Sequence, residues 1–419
     1  MLNNEMIVHP CKRLSGEITL QGSKNSVLPI MAAAIVNEGV TIIENCPDIL
    51  DVHVMASLLR EYGCIVKYEK HVMNIDAKNA CYTELKSENA SKMRASILLM
   101  SGSLSRFGKF CMKLPGGCAI GKRPIDLHLL ALSKLGANAV TQDGLVMATL
   151  NTNGFRGNSF YMPFPSVGAT QNAIIAACLA KGSTMICNCA REPEIWDLCD
   201  YLRMLGNKIY GEKSGMVVVL PNSRPFSCDL RFVLSADRIV AGTIITAVAA
   251  TTGKVRINNI KTERIKNVLD YIGEVDAGED FLQINIEKKP YTDWVVSTGP
   301  FPEFPTDMQS LFLALMSCSY GMGIIEENVF DTRFQTAFEL KKLGADIRIE
   351  DRCAYVFGKG ALNGGIVSAP DLRGGAALVI SGLAAKEPVR VKDCSHIYRG
   401  YEDLAGNLNE LGAEIVCAG

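Results

Sequence analysis

Six times along the chain, a helical stretch carrying leucines closes on a glycine and runs into a β-branched segment. The copies read LLREYGCIV, LSKLGANAV, LRMLGNKIY, LDYIGEVDA, LKKLGADIRI and LNELGAEIV. Their glycines, Gly63, Gly136, Gly206, Gly273, Gly344 and Gly412, are separated by 73, 70, 67, 71 and 68 residues. Glycine after a last helical turn is the expected left-handed cap, and the residues beyond it open a strand. A second pattern lies roughly 20 to 28 residues ahead of each of the first five copies. There MAAAIVNEGVTII, LSRFGKFCMKL, CLAKGSTMICN, AATTGKVRINN and SCSYGMGIIEE each carry a small-residue helix through glycine into a strand. The sixth copy, GLAAKEPVRVKD, has Glu387-Pro388 in that place. Six units of about seventy residues fill the 419-residue chain, the mark of a repeat architecture.

The helices of the second pattern have almost no polar face: AAAIV, AIIAACLA, TIITAVAA, LFLALM and ALVISGLAA. A helix apolar nearly all round belongs inside a protein. The expected fold is therefore α/β, a two-domain inside-out α/β barrel with helices inside and sheets outside. Six units divide naturally into two domains of three, with boundaries expected at 23–231 for one and 1–22 plus 232–419 for the other. The cleft between such domains is the default place for an active site. One stretch departs from the pattern: the fourth repeat, KTERIKNVLDYIGEVDAGEDF, is short and irregular.

Composition narrows the function. Lys plus Arg number 43 against 44 acidic residues, a net charge of −1, which speaks against nucleic acid or an anionic membrane as partner. The N-terminal MLNNEMIVHP has neither a basic nor an apolar leader segment, and no apolar run reaches the ~18 residues a membrane helix needs. Fifteen cysteines scattered through a chain of this length point to a reduced, cytoplasmic protein. The five histidines form no ligand motif, so no metal is expected. Cys187 and Cys189, two apart in TMICNCA, read as one buried face of a strand.

Chemistry gathers at the loops. In LPGGCAIGKRP, Cys118 follows Gly116 and Gly117 and precedes Lys122 and Arg123, so a thiol on a glycine loop sits in a positive field that favours thiolate reactivity. GSKN sets Lys24 and Asn25 at the start of a helix, where backbone N–H groups favour anions; a solvated lysine beside a plain N-cap is the alternative. MRASI sets Arg94 against an apolar run, and RPIDLHLL supplies Asp126 and His128. In FPEFPTDMQS, Asp307 is either a general base or an N-cap for the helix that follows. Arg333, Arg373 and Arg399 stand at similar junctions later in the chain, and PSVGATQN is a small-residue loop suited to close approach of a ligand. Several cations, one carboxylate and one reactive thiol suit a substrate bearing both phosphate and carboxylate.

In their order along the chain, GSKNSVLPIMAAA, MRASI, LPGGCAIGKRPIDLH, PSVGAT, AREPEI, ADRIVAGT, FPTDMQ, FDTRF, PDLR and HIYRGYE resemble the enolpyruvyl transferase family of UDP-N-acetylglucosamine 1-carboxyvinyltransferases. The resemblance spans nearly the whole chain. It implies transfer of the enolpyruvyl group of phosphoenolpyruvate to the 3′-hydroxyl of UDP-N-acetylglucosamine, with release of phosphate, opening peptidoglycan synthesis. It implies Cys118 as proton donor, and a target of epoxides such as fosfomycin, with Lys24 and Asp307 as further catalytic groups. Lys24, Arg94, Arg123, Arg373 and Arg399 would hold phosphoenolpyruvate. Asn25, Arg94, Arg123, Pro124, Ile125, Asp126, Leu127, Ser166, Val167, Gly168, Asp307 and Val329 would meet the sugar nucleotide, with Arg333 and His128 in support. No cofactor is implied, and the chain is expected to be a monomer or a weak homo-oligomer. The nearest rival, 5-enolpyruvylshikimate-3-phosphate synthase, shares the fold but lacks the GGC loop and the PSVGAT segment. An idle repeat protein that binds a UDP-sugar would have lost Cys118, Lys24 or Asp307, and all three are present.

Overall fold

A computed structural model describes residues 4–115, 124–151, 153–222, 226–273 and 275–418. All six repeat glycines take positive φ, between 83° and 101°, which a β-carbon would disfavour. Each closes a helix: Leu50–Glu61, Asp126–Lys134, Pro193–Met204, Lys266–Ile272, Gln335–Lys342 and Leu404–Glu410.

The second set of helices is the interior. Arg238–Thr251 and Gln309–Cys318 are buried at every position, and Lys24–Ala34 and Leu372–Leu383 at all but one. Ala169–Ala177 of the helix Val167–Ala177 and the first two turns of Leu99–Phe107 are buried as well. Around these lie six separate sheets, five of four strands and one of three, among the described residues. Helices inside and sheets outside agree with the expectation. Among the described residues the sheets stay separate and do not join into a closed barrel; each ends on its own edge strands, and three of them take one strand from a distant part of the chain, Glu5–Val8, Leu14–Thr19 and Leu230–Val233.

One local plan recurs. A strand, a central helix and a parallel strand follow one another, and a hairpin then widens the sheet. Thus Val295–Ser297 leads through Gln309–Cys318 to the parallel Tyr320–Glu326, which pairs antiparallel with Cys353–Lys359. Ser159–Tyr161 and Gly365–Ser368 open two further copies. In the second repeat the opening strand shrinks to a single bridge, Leu85 with Met112, leaving three strands.

The chain divides into two compact units: residues 22–235 in one, and residues up to 21 together with 236 onward in the other, among those described. Each holds three of the six sheets. In the second unit the helices 238–251, 309–318 and 372–383 pack on one another around a continuous aliphatic core. In the first, helix 99–107 packs between 24–34 and 167–177. Gly102 makes that possible: a β-carbon there would lie 2.3 Å from Ile35 Cγ2. This is the physical reason for Gly102 in LMSGSLSRFGKF.

Two expectations need correction. Cys187 ends the strand Thr184–Cys187 half-buried, whereas Cys189 is buried beyond it; Asn188, at φ 53°, turns the chain between them, so they share no strand face. The helix of the fourth repeat, Lys266–Ile272, has 7 residues, but its unit-mates Gln335–Lys342 and Leu404–Glu410 have only 8 and 7. Short outer helices are a property of that whole unit.

Candidate active site

In the unit of residues 22–235, Lys24 is the first residue of its helix, yet Ser23 makes no side-chain cap. Lys24 Nζ lies 2.8 Å from Asp51 Oδ2, with side chains only 10% and 5% exposed. The solvated-lysine alternative therefore fails: this ammonium is buried and paired. Two residues on, Ser26 donates to Asp197 at 2.6 Å, and Asp197 also accepts from Ser235 at 2.9 Å, which fixes the start of the helix. Asn25 is half-buried beside Lys24.

A second group forms around His128. Arg94, opening the 3-10 turn Arg94–Leu98, donates to the carbonyl of Pro124 at 2.6 Å. That contact ties the turn to Ile125, Asp126 and Leu127, of which Ile125 is buried, Leu127 half-buried and Asp126 exposed. His128 is buried, with Nδ1 2.8 Å from Asn172 Nδ2. Asn172 Oδ1 accepts from Ser101 at 2.6 Å, so the amide nitrogen faces the imidazole and His128 carries its proton on Nε2. A β-carbon on Gly168 would lie 3.1 Å from that Nε2. Ser166 caps the helix of Val167 and Gly168 through the N–H of Ala169. The structure thus gathers Arg94, Pro124 to His128 and Ser166 to Gly168. Asn172 and Ser101, which orient the imidazole, carry no sequence signal beyond their burial.

In the other unit, Asp307 lies in the 3-10 turn Thr306–Met308. The N-cap of the helix that follows is Met308, so the cap reading of Asp307 is set aside. Its carboxylate instead accepts from Arg333 Nη2 at 3.0 Å and Arg373 Nη2 at 3.3 Å, both guanidiniums being 3–4% exposed. Met308 packs where a β-carbon on Gly242 would stand 2.5 Å away, so the turn rests on the central helix 238–251. Asp371 caps helix 372–383 and so sets Arg373 in its first turn. The Arg373 guanidinium lies 5.4 Å from the Tyr401 ring centroid, and Tyr401 bonds Thr243 at 2.8 Å. Burial pulls Arg373 down, but Tyr401, Asp307 and Asp237 outweigh it and its net shift is upward, so the cation is secure. Burial pushes Tyr401 up, which keeps it a neutral phenol.

Arg333 Nε and Arg373 Nη1 are buried with no hydrogen-bond acceptor among the described residues. Buried N–H groups left unpaired cost about 1–3 kcal/mol each, and such donors are ready for an arriving anion. Arg399 is half-buried at the end of the 3-10 turn Cys394–Arg399, which packs on helix 372–383. Val329 is half-buried, its N–H held at 2.9 Å by Glu327, a residue the sequence did not single out. Cys118 and Arg123 lie outside the described residues.

Comparison with known proteins places this geometry. The family described as EPSP synthase (3-phosphoshikimate 1-carboxyvinyltransferase) matches residues 8–408. A protein of Caldanaerobacter subterraneus named UDP-N-acetylglucosamine 1-carboxyvinyltransferase 2 is 40% identical over 409 residues, covering 97% of each chain. The chain belongs to this carboxyvinyltransferase family. Another member, UDP-N-acetylglucosamine 1-carboxyvinyltransferase 1 of Staphylococcus aureus, is 37% identical over 98% of this chain and 99% of its own. Among solved structures, the enolpyruvyl transferase NikO from Streptomyces tendae superposes with a TM-score of 0.87 at 25% identity, over 99% of both chains. An EPSP synthase from Acinetobacter baumannii shares the fold at a TM-score of 0.71 and 17% identity. No helix among the described residues is long and apolar enough to cross a membrane.

Proposed function

We propose that this chain transfers the enolpyruvyl group of phosphoenolpyruvate to the 3′-hydroxyl of UDP-N-acetylglucosamine and releases phosphate, the first committed step of peptidoglycan synthesis. The observation that carries the reading is the Arg333–Asp307–Arg373 cluster, with its spare buried donors, in a chain whose full-length relatives bear that name. Phosphoenolpyruvate carries close to three negative charges, which accounts for the recruitment of Lys24, Arg94, Arg123, Arg373 and Arg399. Charge-assisted bonds of this kind contribute roughly 1.5–3 kcal/mol each.

The reaction is an addition followed by an elimination. Cys118 donates a proton to the methylene carbon while the sugar hydroxyl adds to the neighbouring carbon, its own proton passing to Asp307. The tetrahedral adduct then loses phosphate and a proton, restoring the double bond as an enol ether. A base must present its lone pair to the hydroxyl, and the two guanidiniums fix the Asp307 carboxylate in place. Asn25, Pro124, Ile125, Asp126, Leu127, Ser166, Val167, Gly168 and Val329 would line the sugar-nucleotide side, with His128 behind Gly168. We place the protein in the cytoplasm, where its many thiols stay reduced, as a monomer or a weak homo-oligomer.

Phosphate release from phosphoenolpyruvate tests this, with UDP-N-acetylglucosamine and shikimate 3-phosphate as parallel acceptors. Release only with the UDP-sugar is expected. Release only with shikimate 3-phosphate would overturn the acceptor assignment, and release with neither would make the chain a non-catalytic binder.

A further inference from the structure

Glu327 is 1% exposed, and no cation among the described residues pairs with it. A buried carboxylate must be compensated, and here three neutral donors do it. Thr306 Oγ1 lies 3.0 Å and 2.9 Å from its two oxygens, while the N–H groups of Val329 and Phe330 donate to Oε1 at 2.9 Å and 3.1 Å. Its own backbone is fixed as well. The Glu327 N–H donates to the Arg352 carbonyl at 2.8 Å, and the next N–H, of Asn328, to Thr298 Oγ1 at 2.9 Å.

These bonds close a ring around the proposed base. Thr306 is covalently next to Asp307; Asp307 pairs with Arg333; Arg333 lies 5.2 Å over the Phe330 ring; and Phe330 and Thr306 both bond Glu327. The Glu327 carboxylate joins the Asp307 turn to the segment bearing Val329 and Arg333 at the backbone, beside the side-chain pair of Asp307 with Arg333. A surface loop without such a tie would let the Asp307 carboxylate wander by an ångström or more, a displacement that costs on the order of a hundredfold in rate.

We propose that Glu327 is a positioning residue, which aims Asp307 at the acceptor hydroxyl by clamping Thr306 to the 327–330 corner. The proposal rests on the reading of Asp307 as the base. It differs from a general stabilising role, because the clamp acts through geometry and not through charge.

Three variants separate these ideas. Thr306→Val keeps the shape of residue 306 and removes its bond to Glu327. Glu327→Ala removes the whole clamp. Glu327→Gln keeps it: the amide oxygen can hold the two N–H groups while the amide nitrogen donates to Thr306 Oγ1. In phosphate-release kinetics with UDP-N-acetylglucosamine, Thr306→Val should lower kcat about tenfold and Glu327→Ala about a hundredfold. KM for phosphoenolpyruvate should stay within about twofold in both, because the anion site itself is untouched. Glu327→Gln should recover kcat to within about threefold of the parent. If Glu327→Ala fails to fold, Thr306→Val decides alone. Wild-type kcat in Thr306→Val, or a Glu327→Gln enzyme as slow as Glu327→Ala, would overturn the positioning role. An unmodified protein that released no phosphate would instead remove the underlying reading, and that is seen before any variant is made.

Discussion

In residues 22–235 the buried ammonium of Lys24 meets the Asp51 carboxylate at 2.8 Å; in the other unit the Asp307 carboxylate meets two guanidiniums, at 3.0 and 3.3 Å. The first arrangement resembles an ordinary buried ion pair. The second leaves Arg333 Nε and Arg373 Nη1 without acceptors among the described residues. Folding alone would not select unpaired buried donors, since each is a cost that a leucine or methionine would avoid. The contrast teaches that a matched pair such as Lys24 with Asp51 is stable before any ligand arrives, whereas the unmatched donors of Arg333 and Arg373 gain their acceptors only when an anion binds.

Removing one partner from each cluster should break the two in opposite ways. Arg373→Met deletes a cation that is under-satisfied in the free protein and leaves Asp307 paired to Arg333. It should lower kcat/KM at least about a thousandfold, in line with losing a charged clamp on a transferring group. Its stability should change by no more than about 1 kcal/mol, the lost pair being offset by removal of an unpaired donor. Asp51→Asn takes the carboxylate charge away from a buried ammonium and should cost about 3 kcal/mol. Urea unfolding checks both, because the chain has two tryptophans, Trp196 in one unit and Trp294 in the other. The Trp196 signal should report the Asp51→Asn loss. If Arg373→Met proved the less stable variant of the two, the contrast between the units would collapse.

A smaller difference should appear at alkaline pH. Burial pushes the thiols of Cys64 and Cys189 up to about 12 and about 11, and raises Cys178 and Cys199 as well, all in residues 22–235. In the other unit burial pushes Cys318 and Cys394 up to about 12. For a group raised in the folded state, the stabilisation is complete below the unfolded value near 9 and is lost as pH rises through the folded value. Each fully buried thiol therefore removes about 1 kcal/mol per pH unit above 9. Between pH 8 and pH 10 the urea midpoint read by Trp196 should fall further than that read by Trp294. Equal falls would mean that these thiols ionise without unfolding.

Much of this was legible in the chain because it is local and periodic. The cap glycines and the all-apolar helices follow from residues a few positions apart, and six copies corroborate one another. The partners of Asp307 could not be read in that way. They stand 26 and 66 residues downstream, and only tertiary packing decides that the carboxylate turns to them and does not cap its own helix. Glu327 was hidden for a related reason: beside Glu326 in GIIEEN it looks like one more surface acid, and only burial against the Thr306 turn sets it apart. Asn188 broke the expected pairing of Cys187 and Cys189 through a single left-handed residue that spacing does not reveal. The fourth repeat read as short and irregular, but its helix 266–272 is matched in length by 335–342 and 404–410, which the sequence pattern alone did not show.

The most direct test of the account is phosphate release by Asp307→Asn at saturating phosphoenolpyruvate and UDP-N-acetylglucosamine, with calorimetric binding of the UDP-sugar alongside. The substitution keeps an acceptor oxygen for the arginines and removes the basic carboxylate. The account predicts a fall in kcat of about a thousandfold, within the range general-base catalysis supplies, with sugar-nucleotide affinity within about threefold. Turnover within about tenfold of the parent would contradict it, and would leave the doubly held carboxylate as a structural counter-ion.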